Sequence, residues 1–424
     1  VRLDFSTIYE HLDEVIHDLA LREYLLDVNK LLNHRVDGTT LKDAIFEAYG
    51  DQFYLQIRDA LKDIAVGDIG AKGGFEQSMS HLRNGVTIVG MGWNLVTGLM
   101  QPLGLTQSIV RVGPKWIAKG IMKWGTDTVH LNNSARIIYE KSDFMRTRNL
   151  TQNREINEIR NQIKRQGRLP LAKELYGMVE DSYFQLIIQF QKVVDIPTWF
   201  GAYEKALDEG ASEERAVALA DQAVIDAQGG GSIKDLSAVQ RGGPLMKLWT
   251  TFYSYFNTTY NLTVESVGRT KFKDPISVGR LAVDVLMLYT VPAILGVALR
   301  EGVNLLVGGE EPDEEELIEK LIREQVSYAL GTMVGLREIS GFISRPEFGY
   351  TGPAGARFFA EAYKLAKQIN QGELDEALAK AANNVAGIIF HYPAGQVQRT
   401  VQGIAALQDG EGTPASVVFG APKQ

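Results

Sequence analysis

Apolar side chains recur at every third or fourth position over almost the whole chain, the period of helices that bury one face. No run alternates apolar and polar residues over a strand length before a hairpin turn, and no repeat of solenoid length is visible. The pattern predicts an all-α protein, an extended multi-helix assembly with amphipathic and borderline-transmembrane helices. The first 70 residues read as amphipathic helices with a break at Val36-Asp37-Gly38. Thr39 or Thr40 can then cap a helix over LKDAIFEAYGDQFYLQIRDALKDI. Glycines 67, 70, 73 and 74 close this region.

The 26 residues from Gly85 to Val110, GVTIVGMGWNLVTGLMQPLGLTQSIV, carry no charge. That length could cross a bilayer as a helix, but Asn94, Gln101, Gln107, Pro102 and the glycines Gly90, Gly92, Gly98 and Gly104 dilute it. Two readings stand open, a buried pair of packing helices and a membrane-seeking segment. GPKWIAKGIMKWG follows, with Pro114 suited to a first helical turn. Lys115, Lys119 and Lys123 form a cationic stripe, while Trp116, Ile117, Ile121 and Trp124 lie mostly opposite. Lysines on one face and tryptophans on the other suit an interfacial helix, so Lys115, Trp116, Lys119, Lys123 and Trp124 are candidate contacts to a membrane or another anionic surface. An ordinary amphipathic surface helix has the same pattern.

A polar, basic stretch ends in NREINEIRNQIKRQGRLP, whose mixed charges suit an exposed helix. A second helical block runs to SEERAVALADQAVIDAQ, capped by Ser212, and Gly229-Gly230-Gly231 reads as a hinge. Beyond it stands LMKLWTTFYSYFNTTYN. Trp249, Phe252, Tyr253, Phe256 and Tyr260 fall at i, i+3, i+4, i+7 and i+11, which predicts one packing or docking helix with an aromatic stripe. Base-stacking surfaces interleave aromatics with cations, and Lys247 is the lone charge from Leu245 to Val264. Leu281 to Leu299 is a second apolar run, holding Asp284 and Pro292. Arg269, Lys271, Lys273 and Arg280 precede it, and an acidic helix capped by Asp313 follows. This polarity suits an oriented membrane helix and equally a buried helix leading into a solvated one. The tail alternates short helices with turns, and from Gln408 onward it is expected to be loose or docked on its neighbours. Five regions result: 1–74, 75–168, 169–231, 232–308 and 309–424.

Charge adds one asymmetry. The chain has 424 residues and a net charge of −8, yet Arg111 to Arg168 holds thirteen Lys or Arg against five Asp or Glu. A basic middle in an acidic chain points to an anionic partner, and it makes Arg154, Arg160, Lys164 and Arg165 candidate nucleic-acid contacts. It equally suits a surface paired with acidic neighbours. With no cysteine, disulfides, thiolate metal sites and cysteine nucleophiles are excluded. His11 and His17 stand six apart and point to different faces, and no zinc-hydrolase pair, phosphate loop, dinucleotide fingerprint or nucleophile elbow occurs. The sequence therefore nominates no catalytic residue, no metal ligand and no cofactor, and an enzyme is not expected within these residues.

ADQAVIDAQGGGSIKDLSAVQRGGPLMKLWTTFYSYFN (Ala220 to Asn257) and GVTIVGMGWNLVTGLMQPLG carry a resemblance. With the order of features around them, they resemble the C-terminal region of the internal virion, or ejection, proteins of short-tailed phages and the related large polyvalent proteins of phages and prophages. The likeness covers most of the chain as an order of features and Ala220 to about Val303 as recognisable text. It implies a virion protein held in the capsid near the portal, expelled into the host, and assembled in the envelope as part of a conduit for the genome. The partners implied are other copies of the chain, other internal or portal proteins, the host membrane and the phage genome. Any enzymatic activity would lie in other parts of a longer parent chain, an expectation that Val1 in place of Met agrees with. The alternative is a co-injected nucleic-acid-associated or antirestriction protein acting in the host cytoplasm.

Overall fold

The computed structural model describes residues 5–66, 74–126, 131–151, 156, 158–159, 182–333, 336, 357–371 and 376–422. It is all-α. Among the described residues the only β-structure is a two-residue antiparallel pair, Arg35–Val36 with Thr39–Thr40. The turn between them places Asp37 and Gly38 at positive φ, the geometry that fits the twist of a tight hairpin.

Helix α1 (Phe5–Asn33) precedes this hairpin, and α2 (Leu41–Tyr49) and α3 (Asp51–Val66) follow it. Thr40 caps α2 as part of a reciprocal box with Asp43, whose carboxyl is held below its usual range by the hydrogen bonds from Thr40. The sequence pattern predicts one helix across 41–64. Gly50, at φ 82°, instead ends α2, and a separate α3 starts after it.

The uncharged run 85–110 is divided rather than continuous. It starts inside α4 (Gly74–Met91), turns at Trp93 in the left-handed region, and continues as α5 (Leu95–Met100), a tight 3-10 turn (Gln101–Gly104) and α6 (Leu105–Val112). Asn94 stops the turn from unravelling by accepting a bond from the Thr97 amide as the cap of α5. None of these pieces is both long and apolar enough to cross a membrane. Most of their side chains are buried or half-buried, so the packing-helix reading describes this run.

The central bundle comprises α6, α7 (Pro114–Thr126), α8 (Leu131–Lys141), α9 (Asp143–Thr151), α10 (Gln185–Asp208) and α11 (Glu213–Gln228). Its core holds Trp199, Phe200, Ile117, Ile138, Met145 and Val224. Pro197 sits inside α10, where a missing N–H ordinarily breaks a helix. The helix continues because its flanking residues Ile196, Thr198, Trp199 and Phe200 are all buried against α7 and α11.

Gly229-Gly230-Gly231 is not a free hinge. Gly229 ends α11 at φ 74°, Gly230 is buried on its far side, and Gly231 is enclosed as well. A β-carbon on Gly230 would strike the Asp235 carboxylate, so the triplet is a close-packed turn. After it come α12 (Pro244–Trp249), α13 (Ser254–Gly268), the long α14 (Pro275–Leu306) and α15 (Glu314–Gly331), capped by Asp313 as expected. Helices α16 (Arg357–Gln371), α17 (Glu376–Phe390) and α18 (Ala394–Gln408) pack back on α4, with Ile388 and Ala394 against Val86 and Val89. The tail is docked: Thr413 and Ser416, the latter opening α19 (Ser416–Phe419), donate hydroxyl bonds of 2.7 and 3.0 Å to the carbonyls of Leu306 and Val307.

Candidate functional site

Asp274 caps α14 by accepting the Ile276 amide at 3.1 Å, with Pro275 in the first turn. From there the helix runs 32 residues, on the order of 48 Å. Pro292 has no N–H to return to the preceding turn, and the helix widens over Leu286–Thr290 just before it. One face is built into the protein. Leu288 packs with Val110 and Leu262, and Pro292, Ala293, Gly296 and Val297 are also buried. The single acid of the apolar run, Asp284, is buried and accepts a 2.6 Å bond from Arg269 at the end of α13. Tyr289 meets Thr263 of α13, hydroxyl to hydroxyl, at 2.9 Å. Near its C-terminus, Arg300 and Glu301 pair with Glu324 and Lys320 of α15 at 2.6 and 3.0 Å.

The other face is left largely exposed among the described residues. Val283, Leu286, Ile294, Leu295, Leu305 and Leu306 are exposed along it. Only 33% of the most apolar stretch of α14 is buried, and the helix is long and apolar enough to cross a membrane. A core helix hides its apolar residues, and this strip departs from that.

The lysine–tryptophan helix is placed differently from its sequence reading. In α7, Ile117 and Gly120 are buried, and Trp116 and Trp124 pack against the bundle core. The helix crosses α10 at very close range. A β-carbon on Gly120 would run into the Pro197 carbonyl, and one on Gly201 would lie 2.7 Å from the Trp116 carbonyl. Protein, not lipid, covers most of the tryptophan face. The lysines stay outside: Lys115 and Lys119 each sit 4.3 Å from the Trp116 ring centre, while Lys123 lies over Phe200 and 3.1 Å from Glu204. Ile121, grouped with the tryptophans in the sequence, points outward with Met122.

The aromatic stretch is not one helix. Phe252 adopts a left-handed φ of 61°, and the chain turns between α12 and α13. The hydroxyls of Thr250 and Thr251 bond back to carbonyls of α12 and secure its end. Two of the five striped residues converge on the end of α15. The Tyr253 hydroxyl donates to the Thr332 carbonyl at 2.7 Å, and the Phe256 ring lies where a side chain on Gly331 would be. Trp249 and Phe252 are half-buried, and Tyr260 is exposed. Docking is thus largely intramolecular. Tyr255, outside the predicted stripe, meets Tyr328 edge-on, and burial pushes both phenols up, Tyr328 to about 12. From pH 10 to about 12 the unfolded chain releases the Tyr328 proton while the folded chain keeps it, so stability falls as pH rises through that window. Tyr328→Phe is expected to reduce this alkaline loss, read from urea midpoints on either side of pH 10.

Arg154, Arg160, Lys164 and Arg165 lie outside the described residues. Their described neighbours are not an exposed helix face, because Ile156 and Ile159 are buried with Ile88 and Phe184, and Glu158 pairs with buried Arg83. Other cations of the basic region are matched by carboxylates of α10 and α11. Arg111 meets Asp226 at 2.8 Å, Lys123 meets Glu204, Lys141 meets Glu213 and Arg148 meets Asp195. The basic middle therefore serves, in good part, as the counter-charge of the acidic helices beside it.

No family model, characterised protein or solved structure matches this chain.

A polar seam through the bundle escaped the sequence. Arg148 and Asp195 are 2% and 4% exposed, and the guanidinium donates to both carboxylate oxygens, at 2.8 and 3.4 Å, and to the Gly229 carbonyl at 2.8 Å. Gln191 donates to Asp195 at 2.9 Å and to Gln228, which donates to the Gly104 carbonyl and to Ser108. Ser108 meets Thr198 at 2.6 Å, and Gln107 reaches Thr259 of α13 at 2.7 Å. Every member is bonded to protein, so the seam orients helices and offers no open site. Three histidines are likewise engaged with backbone: His17 with Ile64, His81 with Ile389 and His391 with His81, the last two rings stacked at 4.2 Å. Among the described residues no three His, Asp or Glu side chains are placed to hold a metal ion.

Proposed function

We propose that the chain is a structural component of a phage virion, an internal or ejection protein that is expelled into the host and helps form an envelope-spanning conduit for genome delivery. The observation that carries this reading is the outward face of α14, an exposed apolar strip on a helix otherwise anchored by Leu288 and by the Asp284–Arg269 pair. A protein stored in one setting and used in another needs surfaces satisfied in both, and a half-docked helix of membrane length meets that need. The feature order around FYSYFN supports the same reading. Proposed partners are further copies of the chain, portal-proximal virion proteins, the host membrane and the genome passing through. A nucleic-acid role is less favoured, because the described cations of the basic region are largely engaged with carboxylates or aromatic rings.

The expected result is that mass spectrometry of purified virions detects the chain, and that cell fractionation soon after infection places it in the host envelope. Absence from particles, or recovery wholly in the host cytosol, would overturn the proposal.

A further inference from the structure

We propose that the corner joining α13 to α14, residues 269–280, is an anchor for an anionic lipid surface. This inference rests on the membrane part of the reading above and names where contact is made. Phe272 and Ile276 project from the corner at 68% and 83% exposure, the latter the most exposed large apolar side chain in the described structure. Lys271 and Lys273 flank Phe272, and Arg280 lies one turn beyond Ile276, all three exposed. None of the three forms an ion pair among the described residues, whereas Arg269 beside them is engaged by Asp284 and Glu265. The one acid at the corner, Asp274, is occupied as the helix cap.

The corner is also stiff. The Thr270 amide bonds the Val267 carbonyl, the Asp274 amide bonds the Lys271 carbonyl, and the Lys271 amide donates to the Ser277 hydroxyl at 2.9 Å. Two apolar tips are thus held outward with three exposed cations beside them in the chain. That combination fits a bilayer interface, where cations meet phosphates while the tips enter the acyl boundary. Nucleic acid would use the cations but has no place for Ile276, and an acidic protein groove would not explain the apolar strip that continues from the corner. Ile276, Val283 and Leu286 extend outward along the same helix, so contact begun at the corner can spread along α14.

The test is co-flotation of the full chain with vesicles of phosphatidylglycerol and phosphatidylethanolamine, against phosphatidylcholine alone. The chain has no cysteine, so Ile276→Cys gives a single attachment point for an environment-sensitive dye. Flotation with anionic vesicles, weakened by salt, and a dye quenched by lipid-borne quenchers are expected. Phe272→Ser with Ile276→Ser, and separately Lys271→Glu with Lys273→Glu, should each lower binding about tenfold or more. These exposed changes should leave the circular-dichroism melt unmoved. Wild-type flotation that both variants retain, or that is lost instead with Lys115→Glu, Lys119→Glu and Lys123→Glu, overturns the corner and leaves the membrane reading standing. Failure of the wild-type chain to float overturns both. Loss of flotation in the lysine variant alone, with an unquenched dye, shows surface attraction without insertion and overturns the anchor.

Discussion

Asp195→Ala is expected to destabilise the folded chain by about 3–5 kcal/mol, the largest single effect among the changes considered. The substitution leaves the Arg148 guanidinium buried without its carboxylate, and it removes the acceptor that Gln191 uses at 2.9 Å. Water cannot readily replace either partner, because both side chains are almost wholly enclosed by α9, α10 and the end of α11. Much of the loss comes from the stranded cation and not from the value of the pair. Arg148→Met combined with Asp195→Leu should therefore recover most of the stability lost by Asp195→Ala. Urea unfolding followed by circular dichroism checks both. A double variant as weak as the single one would show that the seam contributes more than charge neutralisation.

Gly120→Val is expected to cost about 1–3 kcal/mol or more, since over-packing at a backbone contact has no flexible side chain to absorb it. The β-carbon meets the Pro197 carbonyl, and the reciprocal position, Gly201, is equally tight against Trp116. The helices α7 and α10 would have to separate, loosening Ile117 and Trp199 in the core. Gly302→Ala is the control. It lies in α14, where an added β-carbon would meet nothing within 4 Å. The better helix propensity of alanine should leave stability equal or raised by up to about 1 kcal/mol. Thermal melts of the two variants should move in opposite directions or differ by several degrees.

Local signals in the sequence carried well into the structure. Thr40, Ser212 and Asp313 cap the helices assigned to them, and Pro114 opens α7, because a cap depends only on residues three or four positions away. Helix breaks were less legible. Trp93 and Phe252 sit at helix breaks in a left-handed conformation that bulky residues seldom adopt, and only the surrounding packing selects it. The face of α7 was legible as amphipathic, but not what would cover it. That depended on Gly201 and Pro197, some 80 residues later. The polar residues that dilute the uncharged run show the same limit. Gln107 and Ser108 are buried partners for Thr259, Thr198 and Gln228, and no local pattern announces partners 90 to 152 positions away. For the candidate site, composition revealed the apolar run of α14, while the exposure of Phe272 and Ile276 required the fold.

The Asp284–Arg269 contact carries a further consequence. Both polar groups facing inward from the apolar run, Asp284 and Tyr289, find their partners on α13 or at its end, directly before it in the chain. The hairpin 254–306 is therefore electrically self-contained at its centre. If it swings away from the bundle, the carboxylate travels with its own counter-ion and the phenol with its own hydroxyl. The side-chain polar ties it would leave behind include that of Gln107 to Thr259 and the Tyr255 carbonyl, and the pairs of Arg300 and Glu301 with α15. At its centre, then, the hairpin would bring to an oily phase an acid and a phenol already bonded within it, with its free cations gathered at the corner.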